Sequence, residues 1–146
     1  MATTIAQALL DRFASSGVDD FAATGGLWLE EVPAKVAQTL PLFGFTHGGE
    51  SCEYSFEEAY KEIGSFEFTI YALGIAEAER LGLAVKAVYD PCIKAPSLLS
   101  ITNARVIDFE RTGGQVGSEG FHEASGKQVG RVSLTYSYIV QRSLPT

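Results

Sequence analysis

Apolar residues recur along part of the chain at the spacing of a helix. Ile5, Leu9 and Phe13 fall four positions apart within residues 4–16, so they would share one face of a helix. A second stripe of this kind lies within residues 74–89 and consists of Ile75, Ala78, Leu81, Val85 and Val88. Asp90-Pro91 follows and is expected to stop this helix. The pattern predicts two amphipathic helices.

Elsewhere the apolar residues alternate with polar ones or form short runs, as is typical of strands. The predicted strands cover residues 27–33, 40–47, 51–56, 66–72, 101–111 and 131–141. Gly48-Gly49 is predicted to be a turn between the second strand and the third. The last strand places five apolar residues on one face, and these are Val132, Leu134, Tyr136, Tyr138 and Val140.

The segment between the third and fourth strands fits two periodicities. Ser55 and Glu58 could form the capping box of a helix whose apolar residues are Phe56, Ala59, Tyr60 and Ile63. The alternative is a hairpin with its turn near Glu57–Ala59. We favour the hairpin, because the strand at 66–72 alternates clearly and needs an adjacent partner.

The order of elements, α–β–β–β–β–α–β–β, predicts a single α+β domain over residues 1–146. Two helices would cover one face of a mainly antiparallel sheet in a two-layer sandwich. Residues 112–130 are rich in glycine and are predicted to be a mobile loop, or arm, that becomes ordered against a partner with Phe121 as its anchor. The alternative is a local hairpin with Phe121 folded back on its own sheet.

Composition and charge exclude several classes of protein. The chain has 11 basic and 18 acidic residues and a net charge of −7, which disfavours binding to nucleic acid or to an anionic membrane. No apolar run approaches the ~18 residues of a membrane span, and the first residues do not resemble a signal peptide. Cys52 and Cys92 are expected to be reduced thiols in a cytosolic compartment, with one disulfide as the alternative.

The candidate catalytic and metal-binding residues do not form a recognisable site. His47 and His122 belong to no metal-ligand spacing, and alternation places Cys52 on an apolar face instead of beside a base. We therefore expect no catalytic residue, no metal and no cofactor, and predict that the protein is not an enzyme.

An acidic stretch is the most informative charged feature, and its members are Glu50, Glu53, Glu57, Glu58 and Glu62. A solvated charged edge is the simplest interpretation, and a repulsive surface suits the stretch better than catalysis does. Glu53, Glu57 and Glu58 are predicted to face a channel or a neighbouring subunit. Phe121 and His122 of the glycine-rich loop are the other candidate contacts with a partner.

Several stretches together resemble a known family. They are LPLFGFTHGGESCEYSF, then SFEFTIYALGIAEAERLGLAVKAVYDP, and finally RVIDFER with RVSLTYSYIV. This arrangement, with AEAERLGLAV at residues 76–85, resembles tail-terminator (tail-completion) proteins of long-tailed bacteriophages and related elements. The resemblance covers residues 4–142. In that family a short helix and an extended strand precede a hairpin, a helix and two closing strands.

The resemblance implies a structural virion protein without enzymatic activity. Such proteins form a homo-hexameric ring on the end of the tail-tube protein, stop tail growth and join the tail to a head–tail connector. DNA would pass through the ring without specific binding, and the protein would be made in the host cytoplasm. Two alternatives stay open: a small-molecule-binding or enzymatic α+β domain, and another neck or head-completion ring protein.

Overall fold

The computed structural model describes residues 2–16, 27–29, 42–54, 59–121 and 126–143. Its helices are α1 (Ile5–Ser15), α2 (Ile75–Tyr89) and α3 (Pro91–Lys94), followed by a 3₁₀ turn at Pro96–Leu98. Its strands are β1 (Leu27–Leu29), β2 (Leu42–Tyr54), β3 (Ala59–Leu73), β4 (Ser100–Ile101), β5 (Ala104–Phe121) and β6 (Gln128–Ser143).

These strands form one sheet in the order β1-β2-β3-β6-β5-β4. Neighbouring strands are antiparallel except β1, which pairs with β2 in parallel. The mainly antiparallel sheet packs against helices, so the predicted α+β fold is confirmed.

The core lies between the sheet and the two longer helices. Phe66, Phe68 and Ile70 of β3 are buried, as are all five residues predicted to share one face of β6. Aromatic rings pack between the helices and the sheet. The ring centroids of Phe68 and Tyr89 of α2 are 4.6 Å apart, and those of Phe13 of α1 and Phe43 of β2 are 5.4 Å apart. The sheet therefore buries one face against α1 and α2.

Both predicted helices are present. Thr4 caps α1, because its hydroxyl oxygen accepts a hydrogen bond from the backbone N–H of Gln7 at 3.1 Å. The predicted stripe on α2 is buried apart from its first residue, Ile75, which is 37% exposed. After Asp90 the chain turns directly into α3, with Pro91 at its first position.

Close approach of α2 to β6 depends on glycine. A Cβ on Gly130 would collide with the carbonyl oxygen of Gly74, and one on Gly82 would lie 3.0 Å from Cγ1 of Val132. Gly74 itself has a φ of 94°, a conformation that side-chain-bearing residues rarely adopt. These glycines let the helix begin directly on the sheet.

The predicted turn at Gly48-Gly49 is wrong. The strands predicted at 40–47 and 51–56 belong to one strand, β2, which pairs with β3 on both sides of these glycines. His47 pairs with Phe66 and Glu50 with Gly64, so two residues of β2 oppose Ser65 alone. This is a β-bulge, which bends a strand without ending it.

The hairpin at the end of β2 is confirmed against the helix alternative. Tyr54 pairs with Tyr60, and β3 runs without interruption from Ala59. The turn itself lies outside the described residues. Of the strand predicted at 27–33, Leu27–Leu29 forms β1 and the rest lies outside the described part.

The strand predicted at 101–111 is two strands. Ser100–Ile101 pairs with Ala104 and Arg105 across a tight turn. Asn103 occupies this turn with a φ of 57°, which asparagine tolerates better than most residues.

The prediction of a loop at residues 112–130 is also wrong. β5 extends to Phe121 and β6 begins at Gln128, so most of this segment is a hairpin. From Gly113 to Ser118, six consecutive residues pair with Thr135 to Gly130. Backbone pairing needs no side-chain pattern, and β6 supplies the partner. The local-hairpin alternative describes the backbone better than the mobile arm does.

Candidate assembly surfaces

The two described residues among those predicted to contact a partner lie in different hairpins. Glu53 lies in β2 at the position that pairs with Lys61, and Phe121 ends β5 at the position that pairs with Gln128. Glu57, Glu58 and His122 lie outside the described residues. Because β2 and β5 are separated by β3 and β6, the two hairpins lie toward opposite edges of the sheet.

The acidic stretch is not uniformly solvated. The side chain of Glu62 is only 13% exposed, and its Oε1 lies 2.6 Å from Nε of Arg142. Arg142 also donates to the backbone carbonyl of Thr3 at 3.2 Å, which ties β6 to the residues before α1. Glu62 therefore stabilises the fold and does not belong to a solvated acidic surface.

Alternation could have shown that Glu62 and Arg142 each need a partner of opposite charge, but not that they pair with each other. Glu62 occupies the same face of β3 as Phe66 and Phe68, and Arg142 occupies the same face of β6 as Tyr138. A charged residue on a buried face requires a partner of opposite charge. The sequence pattern shows both residues on that face, but not that β3 and β6 are neighbours.

The outer edge of β2 is the first candidate surface. In the described part of the chain, β1 pairs with it only at Phe43–Phe45. From Glu50 to Tyr54, β2 pairs with β3 on one side, and no described strand pairs with the other. This segment, which we call the β2 edge, carries Glu50 and Glu53. It is an acidic strand edge.

The first half of β5 is held firmly in the domain. Phe109 is fully buried and its ring stacks on Tyr136 at 5.2 Å. Arg111 donates to both carboxylate oxygens of Asp90 at 3.3 and 3.4 Å, and the hydroxyl of Tyr136 donates to Oδ1 of Asp90 at 2.9 Å. Asp90 thereby links the end of α2 to β5 and β6.

Burial raises the pKa of Tyr136 well above its usual value, and the hydrogen bond to Asp90 adds to the rise. Burial likewise raises the pKa of Tyr89, whose hydroxyl donates to the carbonyl oxygen of Leu9 at 2.7 Å. Both phenols therefore stay protonated well above the pH at which an exposed tyrosine ionises. Their protons serve structural hydrogen bonds.

The second half of β5 is exposed. Between Gly113 and Ser118 every residue is exposed except Gly117, which is half-buried, and the side chain of Val116 is 54% exposed. On its outer side β5 pairs with β4 only at Ala104 and Arg105 in the described part of the chain. We call Gly113–Ser118 the β5 edge, and it is the second candidate surface.

His47 and Cys52 do not lie together. His47 pairs with Phe66 and Cys52 with Glu62, and four positions along β3 correspond to about 13 Å. The His47 ring stacks on Phe66 at 4.6 Å, and its Nε2 lies 3.1 Å from the Tyr138 hydroxyl. This partner across the sheet was not predicted from the sequence. The contact fixes the ring of a histidine that is otherwise exposed.

A groove of about 350 Å³ lies beside α1 and is lined by Ala2, Ala8, Asp11, Arg12, Ser15, Leu98 and Ser100. Two of its polar groups already have hydrogen-bond partners: Arg12 donates to the Val88 carbonyl of α2 at 2.7 Å, and Ser15 donates to the Asp11 carbonyl within α1 at 2.9 Å. Cys92 is a buried free thiol, and burial raises its pKa although Arg12 acts in the opposite sense. The groove therefore lies between α1 and the segment at Leu98–Ser100.

Neither a protein-family model nor a curated protein matches the chain. Among the described residues, no three or more His, Cys, Asp or Glu side chains are grouped so that they could hold a metal ion. No helix in the described ranges is long and apolar enough to cross a membrane.

Proposed function

We propose that this chain is a structural virion protein that acts as a tail terminator. It would assemble into a hexameric ring on the end of the tail tube, stop tube growth and provide the surface that joins the tail to the head. The observation that carries the proposal is the order of elements. A short helix and an extended strand precede the β2–β3 hairpin, α2 and the β5–β6 hairpin, as the resemblance describes.

Open strand edges support self-association. Within the described residues, the β2 edge and the β5 edge each lack a partner strand on their outer side. Unpaired edges are templates for pairing with another chain, and monomeric proteins usually cover or disrupt them. A ring gives each subunit two neighbours, which matches two available edges.

The charge of the chain supports passage of DNA without retention. The net charge is −7, and Glu50 and Glu53 lie in β2, with Glu57 and Glu58 next to them in the sequence. A channel lined by carboxylates repels a polyanion and would not hold the genome as it passes. In this proposal the acidic hairpin faces the channel or a neighbouring subunit.

Electron microscopy of assembled tails tests the proposal. Particles should carry a six-fold ring of this protein at the tail end that meets the head, and removal of the protein should leave tails of uncontrolled length without heads. Replacement of Glu53, Glu57 and Glu58 by Lys should lower the yield of complete particles. Glu79→Lys, on the exposed side of α2, is the matched control and should leave the yield unchanged.

Normal tails whose ends lack this protein would overturn the proposal. A compact monomer that copurifies with a small molecule would favour the binding or enzymatic domain. A ring found on the head instead of on the tail would favour a head-completion protein.

A further inference from the structure

We propose that the β5 edge of one copy of this chain pairs with the β2 edge of a second copy, so that the sheet continues from subunit to subunit. This inference rests on the proposed ring function and adds the surfaces through which the ring is built. The partner is a second copy of the same chain, bound by backbone hydrogen bonds between strands.

The β5 edge has none of the features that normally prevent edge pairing. Charged residues, proline and bulges are the usual protections of an exposed edge. Gly113–Ser118 contains no charged residue and no proline. Its pairing with β6 is regular over six residues, and the bulges of β5 lie on either side of it. At about 3.3 Å per residue this gives roughly 20 Å of open edge.

The first half of the same strand shows what a protected edge looks like in this protein. β4 pairs with Ala104 and Arg105, and Arg111 is ion-paired to Asp90. Beyond Arg111 these protections stop. The exposed Val116 side chain then lies beside a backbone edge for which the described part of the chain provides no partner strand.

The β2 edge is complementary in two respects. It lies at the opposite side of the sheet, and from Glu50 to Tyr54 its pairing with β3 is also regular. Apart from the internal ion pair of Glu62 with Arg142, residues 42–73 carry five glutamates and one lysine, whereas residues 104–143 carry four basic and four acidic residues. Two acidic β2 edges would repel each other, but the β5–β6 hairpin does not repel a β2 edge.

A contact between two different edges is heterologous, so it leaves one free edge of each kind on every pair of subunits. Such contacts continue until the chain of subunits closes into a ring or extends as a filament. Pairing of two β5 edges with each other would instead stop at a dimer. Mixtures of variants that each lack one edge therefore distinguish pairing of unlike edges from pairing of two β5 edges.

The first experiment measures self-association of the full chain by sedimentation at concentrations up to about 1 mM, where even a millimolar contact is half formed. Val116→Lys should weaken association at least about tenfold, because an edge lysine opposes strand addition. Gln115→Lys serves as a second variant at the same edge. Leu83→Lys, at a similarly exposed apolar residue of α2 (64% against 54% for Val116), is the control and should leave association unchanged.

The second experiment mixes two variants that each lack one edge. Val116→Lys retains the β2 edge, and the double variant Glu50→Lys, Glu53→Lys retains the β5 edge. Each should associate at least about tenfold more weakly alone than the wild type, and the mixture should form a species with the mass of two chains and no larger one. Circular dichroism and melting temperature verify that each variant is folded.

Three results would overturn edge pairing. One is association of Val116→Lys and Gln115→Lys as strong as that of Leu83→Lys. Another is dimerisation of the double glutamate variant by itself, which would mean that two β5 edges pair. The third is a wild-type chain that stays monomeric at every concentration. In each of these cases a six-fold ring at the end of tails would still support the proposed function. The experiments therefore test edge pairing and the tail-terminator function independently.

Discussion

The two halves of β5 differ although they belong to one strand and pair with the same neighbour. From Ala104 to Arg111 the strand contributes buried residues, Val106 and Phe109, and carries an ion pair to Asp90. From Gly113 to Ser118 it is exposed and contains three glycines. Pairing with β6 thus holds the first half of β5 in the core and carries the second half beyond the core.

This difference separates folding from assembly. Buried apolar area drives folding, and the first half of β5 supplies it through Phe109 and its stacking on Tyr136. The second half contributes little buried area, so its sequence is not constrained by the core. Substitutions in the two halves should therefore change different properties of the protein.

The largest expected effect is in the first half. Phe109→Ala should lower the free energy of unfolding by about 3–5 kcal/mol, because the side chain is fully buried and leaves a cavity. Val116→Ala in the second half should change it by less than about 0.5 kcal/mol, since surface substitutions rarely do more. Urea denaturation of the two variants at equal, low protein concentration measures both values.

Equal losses in the two variants would contradict the comparison. A large loss at Val116 would mean that the second half is part of the core of the isolated chain. A small loss at Phe109 would mean that the Phe109 site is filled by rearrangement of its neighbours.

The second prediction concerns the stability of the protein at alkaline pH. It depends on the hydrogen bond between Tyr136 and Asp90, which lies at the end of the first half of β5. Tyr136 has a raised pKa in the folded state, first because it is buried and second because it donates to Asp90. Its contribution to stability is complete below about pH 10, the value for an unfolded tyrosine. Above that pH the unfolded chain releases the proton while the folded chain keeps it. Stability then falls by up to about 1.4 kcal/mol per pH unit for this group.

Tyr136→Phe isolates this effect. The variant should be less stable than the wild type at pH 7 by about 1–2 kcal/mol, because a hydrogen bond to a carboxylate is lost. Above pH 10 the gap between the two proteins should narrow, as only the wild type loses the contribution of this proton. Urea denaturation at pH 7, 9, 10 and 11 provides the comparison. A gap that stays constant with pH would show that the phenol ionises as if it were exposed.

The parts of the fold that the sequence predicts well are those with a dense side-chain pattern. Both helices and β6 contain an apolar residue at nearly every expected position, and each is present in the structure. Each of these elements buries one face, so its apolar pattern in the sequence agrees with its packing in the structure. The same reasoning identified the β2–β3 hairpin, because Phe66, Phe68 and Ile70 required a neighbouring strand.

The second half of β5 could not be predicted in this way. Glycines at 113, 114 and 117 carry no pattern and favour a loop by propensity. The strand forms because β6 offers a regular ladder opposite them, which is a property of the tertiary structure. The ion pair between Glu62 and Arg142 was missed for a related reason. Each residue lies on a recognisable face of its strand. The pair forms only because β3 and β6 are neighbours in the sheet, which brings together residues 80 positions apart in the sequence.

The smallest expected effect compares two glycines of the β5–β6 hairpin. Gly117 lies in the exposed half of β5, and a Cβ added there would meet no atom within 4 Å. Gly117→Ala should raise the free energy of unfolding by about 0.4–1 kcal/mol, because alanine restricts the unfolded chain without strain in the folded one. Gly130→Ala, whose Cβ would collide with the backbone of Gly74, is the control. It should lower stability by about 1–3 kcal/mol, as overpacked sites do. Thermal and urea denaturation of both variants decide the matter, and destabilisation by Gly117→Ala would mean that the second half of β5 is covered in the isolated chain.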